Sequence, residues 1–190
     1  TSMPKSTINP IDKFIVPLNM NGLQGRMLRM GNTKKTREIL LLYGHHASLE
    51  RMSGFAELLH EFGGVTIPDL PGFGGMESFF KIGEKPTIDN YADYLASFIM
   101  LRYKQRRFTL VAMSFSFIVV TRMLQRYPEI AKKVDILTSI VGFAHKDDFI
   151  FKRRNYWALR LSASLFSYKV PALIFRYAVL QASFIRFGYF

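Results

Sequence analysis

The first part of the chain alternates between short apolar runs and longer stretches in which apolar and polar residues are mixed. The runs KFIVPL and GRMLRM flank NMNG, and an Asn-Gly pair between two apolar runs predicts a β-hairpin. The continuous apolar run in REILLLYG, residues 37–44, predicts a strand that helices cover on both faces. Residues 48–64 space their apolar side chains as a helix does, with Ser48 as the N-cap.

The same alternation continues to residue 144. Residues 65–75, VTIPDLPGFGG, predict a short strand that runs into a Pro/Gly loop, and residues 87–105 predict an amphipathic helix capped by Thr87. Another buried strand is predicted at 107–114, a helix that ends near Pro128 is predicted after it, and a further strand is predicted at 134–144. Strands that alternate with helices predict an α/β fold with a mostly parallel sheet and an antiparallel N-terminal hairpin. Ligand sites of such folds lie beyond the carboxyl ends of the strands.

Composition restricts the kinds of protein that this chain can be. Its 190 residues fit one domain, and 49% hydrophobic and 15% aromatic residues exclude intrinsic disorder. The chain has no cysteine, which excludes disulfides and thiolate zinc sites. No run of eighteen apolar residues occurs, and the first residues lack the apolar core of a secretory signal. A cytoplasmic protein, with peripheral membrane contact at most, is the expectation.

The formal charge of +12 is concentrated at the end of the chain. Residues 151–190 contain seven basic and no acidic residues, so the first 150 residues carry only +5. Contact between 151–190 and an anionic membrane is one interpretation of this charge, and a packed segment with solvated charges is an equal alternative. Nucleic acid ranks third, because no DNA- or RNA-binding motif accompanies the charge.

Ser114 is the first candidate for chemistry. In LVAMSFSF, residues 110–117, it follows a predicted strand directly and precedes a predicted helix. A nucleophile elbow has this context, and it needs small residues two positions before and after the serine. Ala112 and Ser116 meet that need, although glycine is usual at both positions. A small core residue at a strand–helix junction is the alternative interpretation of Ser114.

Three stretches read together resemble the α/β-hydrolase superfamily with a serine nucleophile. LLLYGHH at 40–46 resembles its oxyanion loop, with Tyr43 where the family commonly has His; DLPGFGG at 69–75 resembles its D-x-P-G-x-G loop; and LVAMSFS contains the elbow. The similarity covers residues 12–144. The domains expected from it are an incomplete hydrolase core at 1–147 and a helical cap segment at 148–190, whose aromatic residues could line an acyl pocket.

The resemblance implies roles for individual residues. Ser114 would be the nucleophile, and the backbone N–H groups of His45 and Phe115 would form the oxyanion hole. Asp147 or Asp148 are weak candidates for the triad acid. The family's later strands and its catalytic His are not visible, so an N-terminal fragment of a longer protein is expected.

The expected reaction is hydrolysis of a small hydrophobic carboxylic ester through an acyl-enzyme. A serine rather than an aspartate at the elbow argues against the epoxide hydrolase and haloalkane dehalogenase branch. No cofactor is expected, and no metal, because the adjacent His45 and His46 lack carboxylates at ligand spacing. A non-catalytic hydrolase-fold protein that binds a ligand or partner is the alternative.

Overall fold

The computed structural model describes residues 12–32, 34–45 and 47–142, together with Trp157, Leu161, Ser164, Tyr168 and Val170. The predicted boundary between residues 147 and 148, and most of the basic segment 151–190, lie outside the described residues.

The chain begins with the predicted hairpin. Strand β1, Lys13–Met20, pairs antiparallel with β2, Leu23–Met30, and the turn between them is Asn21–Gly22. Both turn residues have a left-handed backbone, with φ of 52° and 80°. Turns of this kind match the twist of paired strands, and asparagine and glycine tolerate the left-handed region better than other residues. The hairpin prediction is confirmed.

Four parallel strands continue the sheet. They are β3 (Glu38–Leu42), β4 (Gly64–Pro68), β5 (Phe108–Met113) and β6 (Val134–Ile140). The order across the sheet is β1-β2-β4-β3-β5-β6, with β2 antiparallel to β4 and the later pairs parallel. The predicted fold class, a mostly parallel α/β sheet with an antiparallel N-terminal hairpin, is therefore confirmed.

The helices follow the strands as predicted. Helix α1 is Leu49–His60, α2 is Ile88–Tyr103, α3 is Phe115–Arg126 and the short α4 is Pro128–Ala131, while Phe79–Ile82 forms a 3-10 turn. The Ser48 and Thr87 side chains accept hydrogen bonds from the backbone N–H groups of Arg51 and Asn90, so both predicted N-caps are present. Among the described residues, no helix is both long and apolar enough to cross a bilayer.

Two hydrophobic cores form, one on each face of the sheet. Strand β3 shows the division, because Leu40 and Leu42 face α2 and α3, while Ile39 and Leu41 face α1. All four side chains are buried, which explains why this strand is apolar without alternation. The carboxyl ends of β3 and β5 are therefore held side by side by packing on both faces.

Strand β6 differs from the other parallel strands. Its residues 135–139 are exposed, although β6 pairs with β5 along its whole length. Ile136 and Leu137 remain 47% and 40% exposed. Among the described residues, no strand pairs with the outer edge of β6 and no helix buries its faces.

Candidate active site

Ser114 lies on a strained turn between β5 and α3. Its φ of 53° and ψ of −122° place it in a region that residues other than glycine rarely adopt. Its backbone N–H donates to the carbonyl of Ile140 in β6 at 3.0 Å, and its carbonyl accepts from the N–H of Phe117 at 3.0 Å. The turn is thus fixed from both sides, and the serine side chain makes no helix-capping hydrogen bond.

Both neighbours required to be small are buried beneath this turn. Ala112 and Ser116 have no exposed surface. The Ser116 hydroxyl accepts from the N–H of Met113 at 3.0 Å and lies 3.0 Å from the carbonyl of Leu42 at the end of β3. A larger side chain at position 116 would have to displace β3. Serine there fills the space that glycine leaves in the usual pattern, and it adds hydrogen bonds to two strands.

Gly44 brings the loop after β3 against Ser114. A Cβ atom at position 44 would lie 2.8 Å from Ser114 Cβ and 3.1 Å from the carbonyl oxygen of Met113. Real Cβ atoms essentially never approach other atoms this closely, so only glycine fits without a shift of the backbone. The predicted oxyanion loop is therefore in direct contact with the predicted elbow.

The two residues predicted to offer backbone N–H groups flank this contact. Phe115 is the first residue of α3, where the helix provides no internal acceptor for the N–H and where the helix dipole favours negative charge. His45 directly follows Gly44 in a turn and is exposed. Its imidazole ring contacts the edge of Phe73 at a centroid distance of 5.2 Å and lies 6.4 Å from the ring of Phe115.

Aromatic rings surround the serine turn on this side of the sheet. Phe73 stacks on Phe115 with centroids 5.5 Å apart, and Tyr91 meets both rings edge-on at 5.9 and 5.5 Å. Tyr91 also donates a hydrogen bond to the carbonyl of Pro71, and burial raises the pKa of its hydroxyl. The surface beside Ser114 is consequently apolar and built from three loops and the start of α2.

A buried carboxylate holds the loop that carries Phe73. Asp69 is completely buried, and it accepts hydrogen bonds from the Tyr43 hydroxyl, from Arg26 Nε at 3.0 Å and from the Gly75 N–H at 2.8 Å. Arg26 also pairs with Glu50 at 2.6 Å. Desolvation, with the hydrogen bond to Asp69, raises the pKa of Tyr43, so its hydroxyl stays protonated and donates. Asp69 therefore has a structural role, since it holds the loop that follows β4.

The glycines of this loop leave room for the carboxylate. Gly74 has a φ of 54°, and a Cβ atom there would overlap Asp69 and come within 2.7 Å of the Tyr43 hydroxyl oxygen. The GFGG stretch therefore serves a compact turn around Asp69. Sequence reasoning missed Arg26 and the hydroxyl of Tyr43 as its partners, because they lie 43 and 26 residues away in the chain. The only signal was the unusual tyrosine in the oxyanion loop.

The remaining predicted residues have different outcomes. Asp147 and Asp148, the acid candidates, lie outside the described residues, as does His46. His60 is half-buried at the end of α1, with Nε2 2.6 Å from the carbonyl oxygen of Gly31. In the described part of the chain, no group of three histidine, cysteine or acidic residues is arranged to hold a metal ion.

Tyr168 is one of the few described residues of the predicted cap. Lys85 Nζ lies 4.9 Å from the centroid of its ring. Lys85 precedes α2 at the carboxyl edge of the sheet, on the same side as Ser114. This contact places Tyr168 beside the residues that lead into α2.

No protein-family model matches the chain, and no curated protein matches its sequence. Solved structures do resemble it. A loop variant of a haloalkane dehalogenase from Bradyrhizobium elkanii matches with a TM-score of 0.61 and 18% identity over 86% of this chain and 54% of the other. A 2-hydroxy-6-oxo-6-phenylhexa-2,4-dienoate hydrolase from a Rhodococcus species matches with a TM-score of 0.57 and 18% identity over 70% of this chain and 47% of the other.

A bacterial membrane phospholipase A matches with a TM-score of 0.58 and 24% identity, over 69% of this chain and 40% of the other. The chain thus spans about half the length, or less, of these three structures. Identities this low bear on the fold alone. The described core has the α/β-hydrolase fold, which confirms at the level of the fold the resemblance found in the sequence.

Proposed function

We propose that the complete protein hydrolyses a hydrophobic carboxylic ester, with Ser114 as the nucleophile. The observation that carries the proposal is the backbone of Ser114, whose φ of 53° and ψ of −122° present the side chain at a strand–helix turn in contact with Gly44. Strain of this kind persists only where the surrounding structure imposes it, and it concentrates at functional sites. Two neighbouring backbone N–H groups supply a place for developing negative charge.

The reaction follows from this arrangement. Ser114 Oγ attacks the ester carbonyl carbon while a general base takes the hydroxyl proton. The carbonyl oxygen becomes an oxyanion, which the N–H groups of Phe115 and His45 stabilise. The C–O bond then breaks, the alcohol leaves with the proton from the base, and water hydrolyses the acyl-enzyme by the same steps. The proposal places the base and the triad acid outside the described residues. The similar solved structures are longer than this chain, which spans about half of their length.

Two observations support an apolar ester in particular. The rings of Phe73, Phe115 and Tyr91 form the surface beside the serine, and that surface suits an acyl chain or an aromatic group better than a charged substrate. A serine at the elbow favours acyl transfer over the chemistry of the dehalogenase neighbour. The phospholipase A neighbour is an example of this fold acting on an ester.

Labelling with a fluorophosphonate probe tests the assignment, because such probes react with activated serines. The full-length protein should be labelled, and Ser114→Ala should abolish both labelling and the hydrolysis of p-nitrophenyl esters. Ser97→Ala is the matched control, since this serine lies inside α2 and its hydroxyl donates to the carbonyl of Asp93 at 2.9 Å. Labelling that persists in Ser114→Ala would refute the nucleophile. A folded wild-type protein that takes up no probe would favour the non-catalytic binding protein.

A further inference from the structure

The net positive charge of the described residues lies at the edge of the sheet opposite Ser114. Four segments lead into the four parallel strands: residues 34–38, 61–63, 102–107 and 129–135, which we call the basic face. They contain nine lysine or arginine residues and four acidic residues, a net charge of +5. The rest of the first 150 residues holds ten of each sign, so the basic face carries the entire excess charge of that region.

Direct contacts make these segments one continuous surface. The carbonyl of Arg37 accepts a hydrogen bond from the N–H of Gly64 at 2.9 Å, which joins the first two segments. Glu38 lies 3.8 Å from both Arg102 and Arg106, which joins the first to the third. Lys133 Nζ donates to the carbonyl of Lys104 at 2.7 Å, and Arg107 donates to the carbonyl of Lys132 at 2.9 Å. Adjacent strands are about 4.8 Å apart, so the face extends roughly 15 Å across the sheet.

Within the part of the chain that the structure describes, much of this charge lacks a carboxylate partner. Among the described residues, no carboxylate lies within ion-pair distance of Lys34, Lys35, Arg37, Lys104, Lys132 or Lys133. Glu38 is already engaged by both terminal nitrogens of Arg29, at 2.8 and 2.9 Å. Arg102 and Arg106 therefore approach a carboxylate that is neutralised, and burial together with repulsion from Arg29 lowers the pKa of Arg102.

Helix dipoles explain only part of this surface. Helices α1 and α2 end at this edge, and a cation in a last turn compensates the negative end of the dipole. That accounts for Arg102 and Lys104. Lys34, Lys35 and Arg37, in contrast, precede a strand and compensate no helix end.

Exposed apolar side chains lie among the cations. Phe62 is 60% exposed and, with Lys35, Thr36, Arg37 and Glu61, lines a shallow depression of about 310 Å³. Leu101, directly before Arg102, is 63% exposed. Cations mixed with exposed apolar side chains are typical of surfaces that lie on a lipid headgroup region, where the charges meet anionic lipids and the apolar groups enter the acyl boundary.

We propose that the basic face binds the surface of an anionic lipid bilayer. Nucleic acid fits less well, because Phe62 and Leu101 would gain nothing against a phosphate backbone, and the face spreads across strand ends instead of forming a groove. This surface is built from other residues than 151–190, for which membrane contact is one of two equal interpretations of the sequence. It also lies at the opposite edge of the sheet from the proposed nucleophile, so it concerns attachment and not catalysis.

Sedimentation of the full chain with vesicles tests the proposal. Binding to phosphatidylcholine vesicles with 30% phosphatidylserine should exceed binding to pure phosphatidylcholine, and should weaken as salt rises. The triple variant Lys34→Gln, Lys104→Gln, Lys132→Gln should lower the partition coefficient on the order of a hundredfold, at about 1 kcal/mol for each lost cation. The matched control, Arg51→Gln, Lys81→Gln, Lys85→Gln, has the same charge change at the opposite edge and should bind as the wild type does.

A second measurement separates lipid from nucleic acid. In a Trp157→Phe background, Phe62→Trp should shift its fluorescence to shorter wavelength with the anionic vesicles and should not shift with double-stranded DNA. Equal loss of vesicle binding in both triple variants would overturn the proposal in favour of unspecific attraction. Full binding by the basic-face variant would overturn it in favour of another surface, such as residues 151–190. Retention on DNA without vesicle binding would also overturn it.

Discussion

The backbone of Ser114 is the residue-scale feature on which the candidate site depends. A left-handed φ at a residue with a Cβ atom costs on the order of 1–3 kcal/mol. Hydrogen bonds at both ends of the turn and the close approach of Gly44 hold the conformation in place. The site is thus maintained against a local preference of the chain, and stability measurements can detect this strain without any substrate.

Two substitutions that both remove the hydroxyl should differ in stability. Ser114→Ala keeps the Cβ atom in the left-handed region, whereas Ser114→Gly relieves the strain, so the glycine variant should be more stable than the alanine variant by about 1–2 kcal/mol. Urea denaturation of the two proteins measures the difference. The same pair at Ser97, inside α2, should show the opposite order by about 1 kcal/mol. Equal stability of the two variants at position 114 would show that the turn is not strained.

At the scale of elements, the bond between Tyr43 and Asp69 joins the end of β3 to the loop after β4. Arg26 from β2 bonds to the same carboxylate, and Glu50 from α1 pairs with Arg26, so one network joins four elements. The network fixes the position of Gly44, which follows Tyr43 directly, and of Phe73, which lies in the loop that Asp69 holds. Both residues border the serine turn.

Removing one hydroxyl from this network should affect both stability and reactivity. Tyr43→Phe leaves a buried carboxylate oxygen without its donor, which costs about 1–3 kcal/mol, and it should slow the probe labelling of Ser114. Tyr43→His supplies an N–H donor and should restore part of the labelling rate. Tyr103→Phe, which removes the hydroxyl of a fully buried tyrosine at the amino edge of the sheet, should leave the labelling rate unchanged. If Tyr43→Phe is labelled at the wild-type rate, the network around Asp69 does not influence the reactivity of Ser114.

The elements themselves were largely predictable from sequence, while their partners were not. Asn21–Gly22 specifies its hairpin locally, and the small residues Ala112 and Ser116 indicate the elbow, because both signals act over a few residues. The hydrogen bonds of Asp69 depend on the order of the strands, which places residues from β2 and β3 around one loop. The pattern of apolar positions within single elements cannot show that order.

Residues 115–134 illustrate a smaller limit. The predicted end of the helix near Pro128 is confirmed, since α3 ends at Arg126, but a second short helix, α4, begins at that proline.

At the scale of the whole molecule, β6 is the most exposed of the four parallel strands within the described residues. A strand with an unpaired edge and apolar side chains on the surface is a template for pairing with another chain. Ile136 and Leu137 have this character within the described residues, and the other parallel strands are covered.

The 190-residue chain should therefore self-associate through β6. Leu137→Lys places a charge on this strand and should lower the associated fraction in sedimentation velocity at raised protein concentration, because a charge opposes edge pairing. Leu58→Lys is the control, since Leu58 is 62% exposed on α1, away from β6. If Leu58→Lys dissociates the protein and Leu137→Lys does not, the contact lies elsewhere.

The two edges of the parallel sheet face opposite directions, and this polarity has a consequence for orientation. A protein held on a bilayer by its basic face would point Ser114 and the aromatic rings beside it toward the water. Its substrates would then arrive from solution, as esters diffusing past a tethered catalyst, and lipids of the supporting membrane would stay out of reach. Attachment would raise the local concentration of the enzyme along a surface without deciding what it cleaves.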